Sequence, residues 1–264
     1  MTIAGTLALC AALAVAGKTV AWLLQRRYGN GGIVDAIWAW TLGLLALVIA
    51  YNGDGPVDTR LAVALMGGVW GLRLGTHLWR RNWGAKEDFR YAAFRKSWGE
   101  KADRNMFWFF QFQNVFTLLL AASAFVPAAF ADRPSPPAAF ALAAVLWLVA
   151  VLGEGIADMQ MKAFRANPAN KNRVCRDGLW HWSRHPNYFF ECVHWLAYVP
   201  LALFAPYGWI SLAAPAVMAL LLLKISGVPL LEAEMMRRKP GYAEYVRNTS
   251  ALLPWPPRKN QKAE

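Results

Sequence analysis

Apolar positions along the chain gather into seven long runs, at residues 2–24, 33–51, 61–78, 106–130, 138–159, 188–204 and 209–228, parted by shorter polar stretches. Most approach the roughly 20 residues that an α-helix needs to cross the hydrocarbon core of a bilayer. A helix satisfies its backbone hydrogen bonds within one segment, which lipid demands. The pattern predicts an all-α, polytopic membrane protein, a bundle of about seven transmembrane helices in one integral membrane domain over residues 1–264. The fourth and sixth runs are less uniform, carrying Gln111, Gln113 and Asn114, and Glu191 and His194. Arg73 and Lys224 each stand near one end of a run, where a long side chain can snorkel. The first run breaks at Lys18 and resumes through Leu24; with no basic segment ahead of it, it reads as a retained helix, not a cleaved signal peptide.

Composition agrees with this class: 57% of residues are hydrophobic and 17% charged, against roughly 25% charged in soluble domains. The net charge of +12 is unevenly placed. Arg26 and Arg27 follow the first run, Arg80, Arg81 and further cations follow the third, and residues 158–184 and 237–262 are basic. The alternate loops hold only Arg60 and Arg133, which puts the N-terminus outside and the C-terminus in the cytoplasm. The charge is then topology, with attraction to anionic membrane lipids as a consequence. No basic stripe stands apart from the runs, so nucleic acid is not an expected partner. Cys10, Cys175 and Cys192 lack metal-ligand spacing, and neither a zinc site nor a disulfide framework is expected.

Polar residues within and beside the runs narrow the chemistry. Asp35 enters the second run one turn before Trp38. An ionisable group there faces the bundle interior by default, unless it is an interfacial N-cap. His77 lies in the third run, and Gln111 and Asn114 share a helix face, lining a polar cavity or bonding across helices. Glu154, Asp158 and Lys162 recur at every fourth residue, with Arg165 just beyond, a mixed stripe that suits a polar pocket. Lys86-Glu-Asp-Phe-Arg-Tyr91 puts two carboxylates, a guanidinium and a phenol beside the membrane. Arg90 and Tyr91 there read as a cofactor clamp or proton donor, with Arg90 favouring release of the phenol proton, or as part of a solvated helix laced with salt bridges.

The densest grouping follows. The loop over residues 158–184 carries Lys162, Arg165, Lys171, Arg173, Arg176 and Arg184, and His181, His185, Asn187 and Glu191 follow or interleave. Guanidinium forks suit phosphates, while an Asn and a carboxylate suit ribose or amide groups. The plainer reading is a juxtamembrane loop that obeys the topology rule.

At these residues the chain resembles the C-terminal half of the steroid 5α-reductase family, through Asp158-x6-Arg165, Gly178-Leu179, Ser183-Arg-His-Pro-Asn-Tyr188 and Glu191. A similar pattern recurs in delta-14 sterol reductases, in the lamin B receptor and, more loosely, in isoprenylcysteine carboxyl methyltransferases. With Glu87-Asp-x-Arg-Tyr91 and the ending Gly241-Tyr-x-Glu-Tyr245-x4-Ser250-Ala-Leu-Leu-Pro-Trp255, the whole chain looks closest to a bacterial branch labelled as a domain of unknown function or as steroid reductases. Similarity to characterised reductases covers residues 153–255. In those enzymes this half binds NADPH inside the bundle, and the chain indeed has no Gly-x-Gly-x-x-Gly. The resemblance implies that Asp158, Arg165, Asn187 and Glu191 contact the cofactor, with Arg173, Arg184, His185 and Tyr188 extending the site and Glu232, Glu234 and Tyr245 joining it from the C-terminal end. The chain departs from the family where the substrate ketone is polarised. The second run has no Gln-Glu pair, and the third reads Thr76-His-Leu-Trp-Arg-Arg81, with Leu where the family has Tyr. Tyr91, Asp35 and His77 are the catalytic candidates in its place.

The expectation is a multi-pass protein of a bacterial inner membrane that uses NADPH to reduce an activated C=C bond in a steroid-like or other lipid, with no metal. An S-adenosylmethionine-dependent methyltransferase of a lipid or lipidated thiol is the alternative; it shares the Arg-His-Pro-x-Tyr segment but calls for fewer cations than a dinucleotide. A sterol-binding or transport protein does not require so dense a grouping of Arg, His, Asn and Glu on one side.

Overall fold

The computed structural model describes residues 1–258, and the regular elements among them are helical, apart from one isolated parallel bridge between Ser183 and Ser250. In chain order the α-helices are α1 (Ile3–Tyr28), α2 (Ile33–Asn52), α3 (Val57–Asn82), α4 (Phe89–Trp98), α5 (Ala102–Ala124), α6 (Val126–Ala129) and α7 (Pro137–Ala166). After the basic loop come α8 (Leu179–Trp182), α9 (Pro186–Leu196), α10 (Val199–Ala202), α11 (Ala213–Leu220), α12 (Val228–Arg238) and α13 (Tyr242–Asn248). Six stretches among the described residues are long and apolar enough to cross a bilayer: α1, α2, α3, the run from α4 to α6, α7, and Gly208–Arg238. This is a membrane protein by the length and composition of its helices.

The sixth expected span, residues 188–204, does not form one helix of crossing length. It is divided between α9 and the four-residue α10. The amide of Ala197 is shared between the carbonyls of Val193 and His194, which tightens the last turn of α9. Pro200 then has no N–H for the carbonyl of Leu196, so the ladder cannot continue. The last apolar stretch is also irregular: a π-helical turn, Leu221–Ile225, precedes α12, and Pro229 removes the bond that would have joined them.

The chain divides into two compact units, Met1–Phe140 with Tyr198–Ala214, and Ala141–Ala197 with Pro215–Glu264. In the first, α1 packs against α2 and α5, and α2 lies along α3. Helix α1 is started by Thr2, whose hydroxyl accepts from the Gly5 amide at 3.1 Å, and is ended by Gly29 at φ 68°. Its buried residues, Thr6, Cys10, Ala14, Lys18, Ala21 and Gln25, recur every three or four positions and form one inward stripe. Helices α2 and α3 approach backbone to backbone at Gly43 and Gly71: a Cβ on Gly71 would stand 2.7 Å from the Ala39 oxygen and from the Gly43 Cα. Small residues at this spacing let helices meet closely in lipid. Replacing Gly71 with Val should therefore force the pair apart at a cost of about 1–3 kcal/mol or more, read as a lower unfolding temperature in detergent. A variant as stable as its parent would mean that the helices do not touch there.

In the second unit α7 meets α9 where a Cβ on Gly153 would lie 2.3 Å from the Phe190 ring. Leu179 and Trp180 of α8 sit beside Gln160 and Ala157. Through these contacts α8 and α9 return to the part of α7 between Gly153 and Gln160.

Candidate functional site

The Gly178–Glu191 stretch is shaped locally by its own residues. Gly178 takes φ 57° ahead of α8, the Leu179 amide donates to Gln160 Oε1 at 2.9 Å, and Trp180 Nε1 donates to the Ala157 carbonyl at 3.0 Å. Pro186 opens α9 at a position where a missing N–H costs nothing. The C-terminal segment then lies along this motif. Arg184 N donates to the Ser250 carbonyl at 2.8 Å, Ser183 Oγ to Leu252 O at 2.8 Å, and Trp255 N to Trp182 O at 3.0 Å.

At the centre is a buried ionic hub. Arg184 Nε donates to Glu232 Oε1 at 2.6 Å and Nη2 to Oε2 at 3.3 Å, while Nη1 reaches the carbonyls of Val246, at 2.9 Å, and Thr249. His185 Nε2 lies 2.9 Å from the same Glu232 oxygen, and its ring stacks on Tyr188 with centroids 5.2 Å apart. Tyr245 donates its phenol proton to the carbonyls of Trp180 and Ser183. Burial first, and then the neighbouring Tyr242, push that phenol up, so it keeps the proton it spends on the backbone. Glu234, also buried, is joined to Arg237 and Arg238 of its own helix. Of the residues expected around a cofactor, Arg184, His185, Glu234 and Tyr245 thus have their polar groups engaged by the protein itself. Four of the five guanidinium donors of Arg184 are committed, so it acts here as a strut between α12, α13 and the motif, not as an open fork for phosphate.

The other expected cofactor residues are differently placed. Asp158 and Asn187 are half-buried, Glu191 is buried, and Arg165 and Arg173 are exposed. Asn187 and Glu191 stand one turn apart on one face of α9, and Glu191 Oε1 accepts from Trp195 Nε1 at 2.9 Å. The Phe190 ring of this helix stands against Gly153 of α7, five residues before Asp158. At the far end of α7 a cationic group forms. Lys239 donates to the Arg173 carbonyl and its ammonium lies 5.7 Å from the centre of the Phe164 ring. Burial first, then the charge of Arg165, holds Lys239 below its ordinary range. Lys239 is thus held beside the backbone of Arg173, 66 residues earlier, and near Arg165, while the Arg173 guanidinium reaches Asn170 Oδ1 at 3.4 Å.

The first unit holds a second polar group, built on α2 and α4. Asp35 is the third residue of α2, and the N-cap position is occupied by Gly32. The Asp35 carboxylate is used instead on α4: Arg90 Nη2 donates to Oδ2 at 2.6 Å and Tyr91 Oη to Oδ1 at 3.1 Å. Arg90 is shared with Asp88, which accepts from Nε at 2.9 Å and, as the N-cap of α4, from the Arg90 amide at 3.0 Å. Burial raises the Asp88 carboxyl, but the bonds and charge of Arg90 outweigh it and hold the group below the usual carboxylate range. Arg90 was expected to favour loss of the Tyr91 proton. Its guanidinium is committed to two carboxylates, and a phenol that donates to a carboxylate retains its proton. Glu87 extends the group, accepting from Gly31 N at 3.0 Å and Arg95 Nη2 at 2.9 Å, while Arg95 also reaches Gln25 Oε1 at 2.7 Å. Tyr91 is packed with Ala21, Val34, Met106 and Phe110, so α4 is docked and not a free solvated helix. Of the three catalytic candidates, Asp35 and Tyr91 are in contact; His77 is half-buried on α3.

Residues 21–249 match the model of the family described as "Protein of unknown function (DUF1295)". The chain belongs to this family. No curated protein and no solved structure matches it.

Glu232 of this DUF1295 chain, expected to join the cofactor site from the C-terminal end, is instead the anchor of the hub; its partners are 47 and 48 residues away, and no motif in the sequence pairs them. Lys18 read only as an interruption of the first run, but it does not interrupt α1 and is 2% exposed. The available signal was its register, on the same stripe as Cys10, Ala14 and Ala21. Gln111 and Asn114 bond to each other at 3.0 Å, and Gln111 bonds across to Thr19 at 3.2 Å, so these amides join α5 to α1.

Proposed function

We propose that the chain is a membrane-embedded, NADPH-dependent reductase of an activated C=C bond in a steroid-like or other lipid substrate, related to the steroid 5α-reductases. On this reading it crosses a bacterial inner membrane seven times, with the N-terminus outside and the C-terminus cytoplasmic. The observation that supports the reading is the placing of Lys239 near Arg165 and against the Arg173 backbone at the end of α7, the helix that bears Asp158. Like charges held together, one partly desolvated, favour a polyanionic ligand that relieves their repulsion. The donor set fits a dinucleotide, with cations for its phosphates and the carboxylates and amide of α7 and α9 for ribose and carboxamide groups. A sulfonium cofactor gives such cations less to do.

When bound, NADPH supplies the hydride for reduction of an enone. The residues of the chain hold and orient. Arg165, Arg173 and Lys239 hold phosphate, while the Arg184–Glu232–His185 hub keeps the motif and the C-terminal segment in register. In the first unit Tyr91 is the candidate acid, and to serve as one it would turn from Asp35, which accepts its proton at 3.1 Å, to the substrate oxygen.

Nicotinamide fluorescence during titration of the purified protein tests the reading. Parent protein should bind NADPH, and Arg165→Ala or Arg173→Ala should each weaken binding about tenfold or more, the loss of one charge-assisted contact. Unchanged affinity in both variants, or none in the parent, rejects it; saturable S-adenosylmethionine binding instead would favour methyl transfer. Given a working enone, Tyr91→Phe should lower kcat by about 10²-fold or more with NADPH affinity intact. Near-normal turnover would remove Tyr91 as the acid.

A further inference from the structure

We propose that the first unit holds an anionic phospholipid as a resident, non-reacting ligand, its phosphate on Arg27 and Arg80 and its chains along an aromatic ladder on α3. The ladder has four rings. Tyr28, the last residue of α1, lies 4.5 Å from Trp83 between ring centroids; Trp83 stacks on Trp79 at 4.6 Å, and Trp79 lies 5.4 Å from Trp40 of α2. Trp79 and Trp83 are four residues apart and so share a helix face. Gly75, one turn earlier, makes room for the fourth ring, since a Cβ there would stand 2.3 Å from Trp40 Cδ1. The helix ends beside the ladder are fixed to each other: Asn30 Nδ2 donates to Asn82 O and Asn82 Nδ2 to Gly32 O, both at 2.9 Å. The ladder is thus formed without a ligand.

Exposure and charge decide what it accepts. Tyr28 and Trp83 are 53% and 44% exposed, while Trp79 and Trp40 are half-buried. The ladder therefore runs from the end of the bundle onto a helix of crossing length. Arg27 adjoins Tyr28, and Arg80 stands three residues before Trp83. Both are exposed, and neither has an ion pair among the described residues; Arg26, by contrast, is held by Asp103. Guanidinium forks match a phosphodiester, and aromatic rings at the end of a membrane helix stand at headgroup level. A soluble anion would leave the rings uncovered, and a neutral sterol would leave the cations unused. A zwitterionic lipid would bring its own ammonium among guanidiniums. An amphiphile of net negative charge uses both parts. The carbonyl end of α3 disfavours an anion, so side chains must hold the phosphate. The site goes beyond the reductase reading and does not depend on it.

Native mass spectrometry of the full chain in detergent, titrated with dioleoyl phosphatidylglycerol, tests the proposal. One lipid should bind ahead of the rest, and dioleoyl phosphatidylethanolamine should bind that site about tenfold or more weakly. Arg27→Gln with Arg80→Gln should weaken the first site about tenfold or more. The matched control is Lys101→Gln with Arg104→Gln, which removes as much charge at the start of α5, toward which α1 turns Trp22 and Arg26 and not Tyr28. It should change the first site by less than about twofold, since exposed charges farther off are screened. Equal losses from the two pairs would overturn the proposal in favour of diffuse attraction. Equal binding of phosphatidylethanolamine would overturn the ligand class. Displacement by an equal concentration of glycerophosphoglycerol, the same headgroup without chains, would show a site for soluble phosphodiesters instead. Trp83→Leu should also weaken the first site, with phosphatidylglycerol affinity at the parent level overturning the ladder's part. If that variant does not fold, brominated phosphatidylglycerol decides on the parent: it should quench tryptophan fluorescence saturably, and less so in the Arg27, Arg80 double variant, and equal quenching in both would overturn the site.

Discussion

Replacing Glu232 with Ala is expected to destabilise the protein by about 3–5 kcal/mol, the cost of breaking a buried ion pair from one side. The carboxylate accepts from Arg184 Nε and Nη2 and lies 2.9 Å from His185 Nε2. Its removal leaves a guanidinium whose side chain is only 9% exposed without its counter-charge. The two carbonyls that also bind Arg184 cannot neutralise it. Thermal unfolding in detergent, with the monodisperse fraction on size exclusion, should show a protein that loses its fold well before its parent. The double variant Arg184→Met, Glu232→Leu should recover much of the loss, because it removes both charges together and leaves apolar groups of similar size. If the single variant melts with the parent, the hub does not exist as described.

Asp35→Ala should release α4, with a smaller cost of about 1–3 kcal/mol because the Arg90 and Asp35 side chains remain 22% and 24% exposed. Asp35 joins α2 to α4 through Arg90 and Tyr91, so its loss strips α4 of its ionic tie and leaves the aromatic packing of Tyr91 against Phe110. Trypsin reads the result, since α4 carries Arg90, Arg95 and Lys96. Cleavage there should accelerate while the transmembrane helices stay protected; an unchanged rate would show that the ion pair does not hold the helix. Asp35→Asn should fall between the two, keeping an acceptor for Tyr91 without the charge. Acid should loosen the same helix. The folded Asp88 carboxyl is held below its ordinary value of 3.8, so its contribution is full above that value and is lost as pH falls through the lower, folded one.

The membrane class was legible because hydropathy is a local property summed over some 20 residues, and most of the runs became helices of crossing length. The 188–204 run did not. Its composition suits a span, but Pro200 ends the hydrogen-bond ladder, a point effect that hydropathy averages away. Asp35 and Tyr91 were legible as residues of interest, though not as partners, since one belongs to α2 and the other to α4. The motif around Ser183–Tyr188 was legible as special, and its chemistry was only partly so. Arg184 and His185 looked like ligand-binding groups, and the fold engages both with Glu232.

By itself, then, the sequence determined that this chain is helical and membrane-embedded, which stretches carry its charge, and that residues 158–191 and 86–91 are dense in charged and polar side chains. These follow from composition, period and adjacency. Tertiary structure alone decided which charges are struts and which are available. That choice depends on a partner such as Glu232, 48 residues from Arg184, or Gln113, 95 residues from Lys18. A cation on an inward helix face reads the same whether its counter-charge is a neighbouring helix or a ligand, and only packing places the one within hydrogen-bond reach.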